Sequence, residues 1–140
     1  MHSHFDLDRA TQTRRVVTAI QDPNVRMIGH LSARMIGGRP PIELDLPAVF
    51  AAAAASGTAL EVNGALPRLD LSVDALRETR GHDVTVVLTS DAHDTRELSL
   101  IDFAARNAER AWLDPARVAN TWEPDRLRAW AENKLGPGPG

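Results

Sequence analysis

The stretch VTVVLTSDAH, residues 84–93, decides the fold class predicted for this chain. Val84–Asp91 is typical of a β-strand, because β-branched residues fill it and polar residues end it. Two comparable stretches precede it, Val25–His30 and Thr58–Asn63. The three strand ends follow one another at about 30 residues, the length of one strand-plus-helix unit. This rhythm predicts an α/β fold with a parallel sheet or barrel.

Helical segments fill the intervals between these strands. Asp45-Leu-Pro is a helix start, Gly57 is placed to end that helix in a left-handed cap, and Ser72 can begin the next one. Helices are predicted at 10–20, 45–57, 72–81, 94–108, and after Pro115 and Pro124. Their predicted apolar stripes are Val16, Val17 and Ile20; Leu46, Val49, Phe50 and Ala53; Leu98, Ile101, Ala104 and Ala105; and Leu127 with Trp130.

Polar side chains gather where the predicted strands end. Because side chains alternate across a strand, Glu61 and Asn63 share a face with Ala59, opposite Leu60 and Val62. The faces that carry Met27 in the first strand and Val86 in the third are purely apolar and suit burial under helices. The residues expected to meet at the carboxyl ends are His30, Asn63, Asp91 and His93. Such a gathering predicts a metal or catalytic site at the mouth of a barrel.

Composition excludes several classes of function. The 140 residues contain no cysteine, so any metal must be held by His, Asp or Glu, which favours zinc or manganese. The net charge of −3 argues against binding nucleic acid by bulk electrostatics. No apolar run is long enough to cross a membrane, and the polar start MHSHFDLD does not resemble a signal peptide. A cytoplasmic location is therefore expected.

Five segments together resemble one known module. They are MHSHFDLDRATQTRRVVTAI, VRMIGH, TALEVNGALPRLDL, TSDAH and ERAWLDPARVANTW, in this order from His2 to about Trp122. This order is similar to the C-terminal half of the PHP (polymerase and histidinol phosphatase) domain, most closely the version in bacterial family X DNA polymerases. The resemblance implies a partial (β/α)7 TIM-like barrel, with parallel strands inside and helices outside. It assigns residues 1–135 to that domain and leaves 136–140 as a flexible tail.

The resemblance also implies the roles of individual residues. His2, His30, Asp91 and His93 match metal ligands of the family, although Leu31 stands where the Gly-His-Pro motif has proline. Asp91 and His93 would also be the catalytic pair, and Arg34, Asn63 and Arg68 would lie near the substrate phosphate. The implied chemistry is phosphoester hydrolysis with a divalent metal, zinc or manganese, which activates water and neutralises the phosphoryl oxygens. His4 and His82 match no ligand and are predicted to be surface residues.

The chain departs from the family pattern at its beginning. The opening His-x-His strand of the family, a further Asp or His, another His and a bridging Glu have no counterpart here. The expected partners are therefore the missing N-terminal half of the barrel or a second copy of the chain, together with a DNA 3′ end or a small phosphoester as substrate. No membrane partner is expected.

Three functions stay open at this point. The first is a metal-dependent phosphoesterase, acting as a 3′–5′ exonuclease or end-processing phosphatase in DNA repair, or on a phosphomonoester such as histidinol phosphate. The second is an inactive remnant or interaction module. The third is a flavodoxin-like nucleotide binder, which the absence of a Gly-rich phosphate loop disfavours.

Overall fold

The parallel sheet predicted from the strand rhythm is present, with three strands in sequential order. The computed structural model describes residues 4–133. Strand β1 is Met27–Ile28, β2 is Ala59–Asn63 and β3 is Val86–Thr89, and both neighbouring pairs run parallel. Leu60 lies opposite Ile28 on one side and opposite Val86 on the other. The chain thus has the architecture of a partial TIM-like barrel, as predicted.

Helices connect and flank the strands at the predicted places. The α-helices are α1 (Arg9–Gln21), α2 (Leu46–Ser56), α3 (Val73–Glu78), α4 (Ile101–Arg110) and α5 (Pro124–Asn133). Short 3-10 helices are formed by Thr79–Gly81, Thr95–Leu100, Pro115–Arg117 and Ala119–Thr121. The side chains of Asp45 and Ser72 accept hydrogen bonds from the first turns of α2 and α3, and Gly57 ends α2 at φ 68°. These caps confirm the predicted helix boundaries.

The core lies between the central strand and the helices. Every residue of β2 is buried, and Val16, Ile20, Val49, Phe50 and Ala53 contribute the buried faces of α1 and α2. Burial of this many aliphatic side chains is the main source of stability for a chain of this size. None of the helices within residues 4–133 has both the length and the apolar character that a membrane crossing requires.

Four predicted burial patterns are wrong in detail. Leu127, predicted on the apolar stripe of the last helix, is 38% exposed. Met27 is 36% exposed on the short strand β1, although its face was expected to be covered. Leu98 is exposed because residues 95–100 form a 3-10 helix, whose period differs from that of an α-helix. Ile101 is exposed at the first residue of α4. His82 is half-buried and sets its ring edge-on against Phe50, with 5.8 Å between the ring centroids.

The first described residues are tied to the body of the protein. The carbonyl of His4 accepts hydrogen bonds from the side chains of Gln12 and Arg15 on α1. The guanidinium of Arg39 lies 3.6 Å from the centroid of the Phe5 ring, a cation–π contact. His4 itself is exposed, as predicted.

Candidate functional site at the carboxyl ends of the strands

Four polar side chains, three of them buried and the fourth half-buried, form one network at the carboxyl ends of the three strands. This inner cluster consists of His30, Glu61, Asn63 and Thr89. Glu61 is its centre: one carboxylate oxygen, Oε2, accepts from the backbone N–H of His30 and lies 3.2 Å from both His30 Nδ1 and Asn63 Nδ2. The other oxygen, Oε1, accepts from the Thr89 hydroxyl at 2.7 Å. The inner cluster therefore joins β2 to the residue ending β3 and to the turn after β1.

The surroundings of Glu61 keep it ionised. Burial alone would raise its pKa, but hydrogen bonds from the His30 side chain, from Thr89, from the His30 backbone and from Asn63 outweigh that effect. The pKa of Glu61 is consequently lowered to about 2. An ionised carboxylate can only accept hydrogen bonds, so Glu61 is the acceptor in its contacts with Thr89, with Asn63 and with the His30 backbone N–H.

A buried aspartate lies behind the turn that carries His30. Asp70 is fully buried, and its Oδ2 accepts from the backbone N–H of Ser32 at 2.9 Å. Its other oxygen has no hydrogen-bond partner within the described part of the chain. Burial raises the pKa of Asp70, which is the opposite of the shift at Glu61. The backbone carbonyl of Asp70 also accepts from the Asn63 N–H, so this residue supports the end of β2.

A second group of polar residues, more accessible than the first, lies on the loops after β2 and β3. This loop cluster consists of Arg68, Asp91 and His93. The Arg68 Nε and the Asp91 Oδ2 form an ion pair at 3.0 Å, with side chains 18% and 22% exposed. His93 is exposed; its Nδ1 lies 2.7 Å from the Asp91 carbonyl, and its backbone N–H donates to Glu97.

Arg34 holds the first of these loops in place instead of facing open solvent. Its Nε donates to the Arg68 carbonyl at 2.7 Å, and its Nη2 donates to the Leu69 carbonyl. Arg34 also lines a groove of about 590 Å³ together with Ser32, Leu71 and Ser72. Arg34 thus fixes the loop that carries Arg68, and a role of either arginine in binding phosphate stays a prediction.

The structure groups the predicted site residues into two sets. His30 and Asn63 belong to the inner cluster, Arg68, Asp91 and His93 belong to the loop cluster, and His2 lies outside the described residues. In the range 4–133, no three His, Asp or Glu side chains are grouped so that they could hold a metal ion. The Asp91 carboxylate is instead neutralised by Arg68. The described residues therefore do not by themselves fit a divalent metal, and the proposed ligand set stays a prediction.

Glu61 is the site residue that the sequence prediction did not select. The pattern did contain a signal, since Glu61 and Asn63 lie two positions apart on the central strand between apolar neighbours. A carboxylate at a buried strand position requires partners that satisfy it, and this requirement points to a polar cluster.

Comparison with known proteins supports the predicted family relationship. No family model matches the chain. The DNA polymerase/3'-5' exonuclease PolX of Bacillus subtilis is 31% identical over 120 residues, which are 86% of this chain and 21% of that protein. The probable phosphatase YcdX of Escherichia coli K12 is 30% identical over 133 residues, covering 91% of this chain and 51% of that protein.

The matches cover different shares of the related proteins. A YcdX protein of Shigella dysenteriae is 28% identical over 136 residues, again across 91% of this chain and 51% of that protein. The chain thus spans about half the length of its phosphatase relatives and a smaller share of the polymerase. These matches confirm the relationship to PHP-domain proteins and support a phosphoesterase family.

Proposed function

Because this chain is related to PHP-domain proteins, we propose that it contributes part of the active site of a metal-dependent phosphoesterase. The observation that carries the proposal is the inner cluster, which brings His30, Glu61 and Asn63 together at the carboxyl ends of neighbouring parallel strands. Catalytic side chains in barrels of parallel strands come from this end. The loop cluster, with Asp91 and His93, would lie beside it on the loops.

The proposed cofactor is a divalent metal, zinc or manganese. Because residues 4–133 do not group three ligands, we propose that further ligands come from His2 and from a partner that supplies the first half of the barrel, or from a second copy of the chain. Arg68 would have to release Asp91 before Asp91 could act as a ligand. The chain's own residues would then orient the substrate phosphate, for which an arginine is well suited.

Two substrates are proposed for the completed site. The PolX relative, named as a polymerase and 3′–5′ exonuclease, favours a DNA 3′ end, processed by an exonuclease or an end-processing phosphatase in repair. The YcdX relatives, named as probable phosphatases and matched across more of this chain, favour a small phosphomonoester, of which histidinol phosphate is one. An inactive remnant or interaction module is the competing function, favoured by the Arg68–Asp91 pair that occupies a predicted ligand.

The test compares the chain alone with the chain completed by a partner. The 140-residue protein is assayed with Mn²⁺ or Zn²⁺, alone and mixed with the segment of the Bacillus subtilis relative that precedes the matched residues. A 3′-labelled oligonucleotide and p-nitrophenyl phosphate separate the two substrates. We expect hydrolysis in the mixture that is lost in His30→Ala and Asp91→Ala. Absence of hydrolysis and of bound metal in every mixture would favour the inactive remnant.

A further inference from the structure

The geometry points to Glu61 as a positioning residue that holds the imidazole of His30 in one tautomer, with the proton on Nδ1 and the lone pair on Nε2. The inference deepens the proposed function, on which its catalytic consequence rests. It assigns a role to a residue that does not itself touch substrate. The tautomer is a property of the chain and can be measured without any activity.

The first support is the contact itself. Glu61 Oε2 lies 3.2 Å from His30 Nδ1, and both side chains are almost wholly buried, at 7% and 11% exposure. A carboxylate has no proton to donate at neutral pH, so a hydrogen bond between these two atoms requires the proton on the imidazole nitrogen. In a neutral imidazole the lone pair is then on Nε2, and that nitrogen can accept a proton or coordinate a cation.

The second support is that Glu61 cannot easily turn away from His30. Its Oε2 also accepts from the His30 backbone N–H and from Asn63, while its Oε1 is held by the Thr89 hydroxyl on β3. The Glu61 carboxylate is thus held by Asn63 on β2, by Thr89 on β3 and by the backbone of His30. Its Oε2 atom is therefore kept pointing at the His30 ring. A partner hydrogen-bonded to one imidazole nitrogen sets the tautomer and ring orientation, as it does for histidines that bind metals.

The third support is that the Glu61 carboxylate lies against the backbone at Gly29. A β-carbon built at this position would lie 3.5 Å from Glu61 Oε2, so the carboxylate packs directly against the backbone before His30. Glu61 thus contacts both the backbone and the side chain of His30. This double contact ties the His30 ring to β2, which is the most buried strand of the sheet.

The experiment measures the His30 tautomer by nitrogen NMR on the 140-residue protein labelled with ¹⁵N-histidine. The pH is kept where imidazole is neutral, and the resonance is assigned by its loss in His30→Ala. We expect the wild-type protein to show His30 protonated on Nδ1. If His30 in the wild-type protein is protonated mainly on Nε2, the inference is wrong. This outcome does not depend on whether any variant folds.

Two substitutions separate positioning from simple packing. Glu61→Gln retains an oxygen that can accept from Nδ1, so the Nδ1–H form should be preserved. Glu61→Met fills similar space with no such acceptor, and the Nε2–H form should become the majority. A His30 in Glu61→Met that stays protonated on Nδ1 would contradict the positioning role.

Thr89→Val is the matched control. It removes the hydrogen bond to the other carboxylate oxygen, so it should lower stability but leave the His30 tautomer unchanged. The outcome is independent of the proposed function: if the tautomer is as expected but no completed mixture hydrolyses a phosphoester, only the proposed function fails.

Discussion

The inner cluster and the loop cluster differ in how their charges are satisfied, although both follow the same strand ends. In the inner cluster a single carboxylate, Glu61, receives hydrogen bonds from three other residues and is buried. In the loop cluster Asp91 is neutralised by one arginine that also contacts solvent, and His93 is exposed. The comparison indicates that the inner cluster is held by several buried hydrogen bonds, while the loop cluster depends on one ion pair that water can reach.

The most direct way to break the inner cluster is to remove its centre. Glu61→Ala leaves the N–H of His30, the amide of Asn63 and the hydroxyl of Thr89 without their acceptor inside the protein. We expect the free energy of unfolding to fall by about 4 kcal/mol, the scale for removing one partner of a buried charged pair. Urea unfolding followed by circular dichroism measures it. A loss below about 1 kcal/mol would mean that the network contributes little.

Acid should weaken the inner cluster through the same carboxylate. The pKa of Glu61 is lowered from its usual 4.5 to about 2, so its charged form stabilises the fold above about pH 4.5. That contribution is lost as the pH falls through this window, and a shift of this size corresponds to about 3 kcal/mol.

The glutamine variant isolates this effect. The advantage of the wild type over Glu61→Gln in free energy of unfolding should shrink by about 3 kcal/mol between about pH 5 and pH 2. Asp70, whose pKa burial raises, shifts the pH dependence in the opposite direction but is present in both proteins. A difference that does not change with pH would show that Glu61 titrates normally in the folded protein.

The tight packing of the backbone beside the inner cluster can be tested by replacing one glycine with alanine. Gly64 directly follows Asn63, and a β-carbon there would lie 2.0 Å from the Leu100 carbonyl oxygen. Gly64→Ala should therefore cost about 2 kcal/mol, because backbone atoms must move apart. Gly81→Ala is the matched control, since a β-carbon at that position meets nothing within 4 Å. Equal thermal stability of the two variants would contradict a tightly packed strand end.

The loop cluster should respond least. Asp91→Asn removes the charge that Arg68 pairs with, and we expect a loss of about 1 kcal/mol in the free energy of unfolding, as for a partly accessible ion pair. The loss should diminish further at high salt. A loss as large as that of Glu61→Ala would make the two clusters equivalent and remove the distinction drawn between them.

The order of helices and strands could be predicted from the sequence, because local signals determine where each of them begins and ends. Asp45, Gly57 and Ser72 are caps that act on their own helices, and the structure uses them as predicted. The strand rhythm and the parallel sheet followed from composition and spacing. The lengths of the strands were harder to predict from the sequence. Strand β1 contains only Met27–Ile28 of the predicted Val25–His30, because pairing with β2 determines where the strand ends.

The candidate site was only partly predictable for a related reason. His30 and Asn63 both contact Glu61 at the strand ends, where the sequence had predicted them to meet, while their role as site residues stays a prediction. The Arg68–Asp91 pair depends on two loops meeting, with Arg34 holding one of them through backbone carbonyls. No periodicity in the sequence encodes such a contact. Glu61 could have been selected because it lies between the apolar residues Leu60 and Val62 on a predicted strand.

Asn120 covers part of the outer edge of β3. Its side chain accepts from the Leu88 N–H at 2.7 Å and donates to the Leu88 carbonyl at 3.0 Å, while Val118 forms a parallel bridge with Val86. An incoming polypeptide would find these main-chain groups of β3 already engaged, as in the covered edges that discourage aggregation. A fourth strand could pair with β3 at Leu88 only by displacing the Asn120 side chain. The Asn120 amide therefore blocks strand pairing at this edge of the sheet.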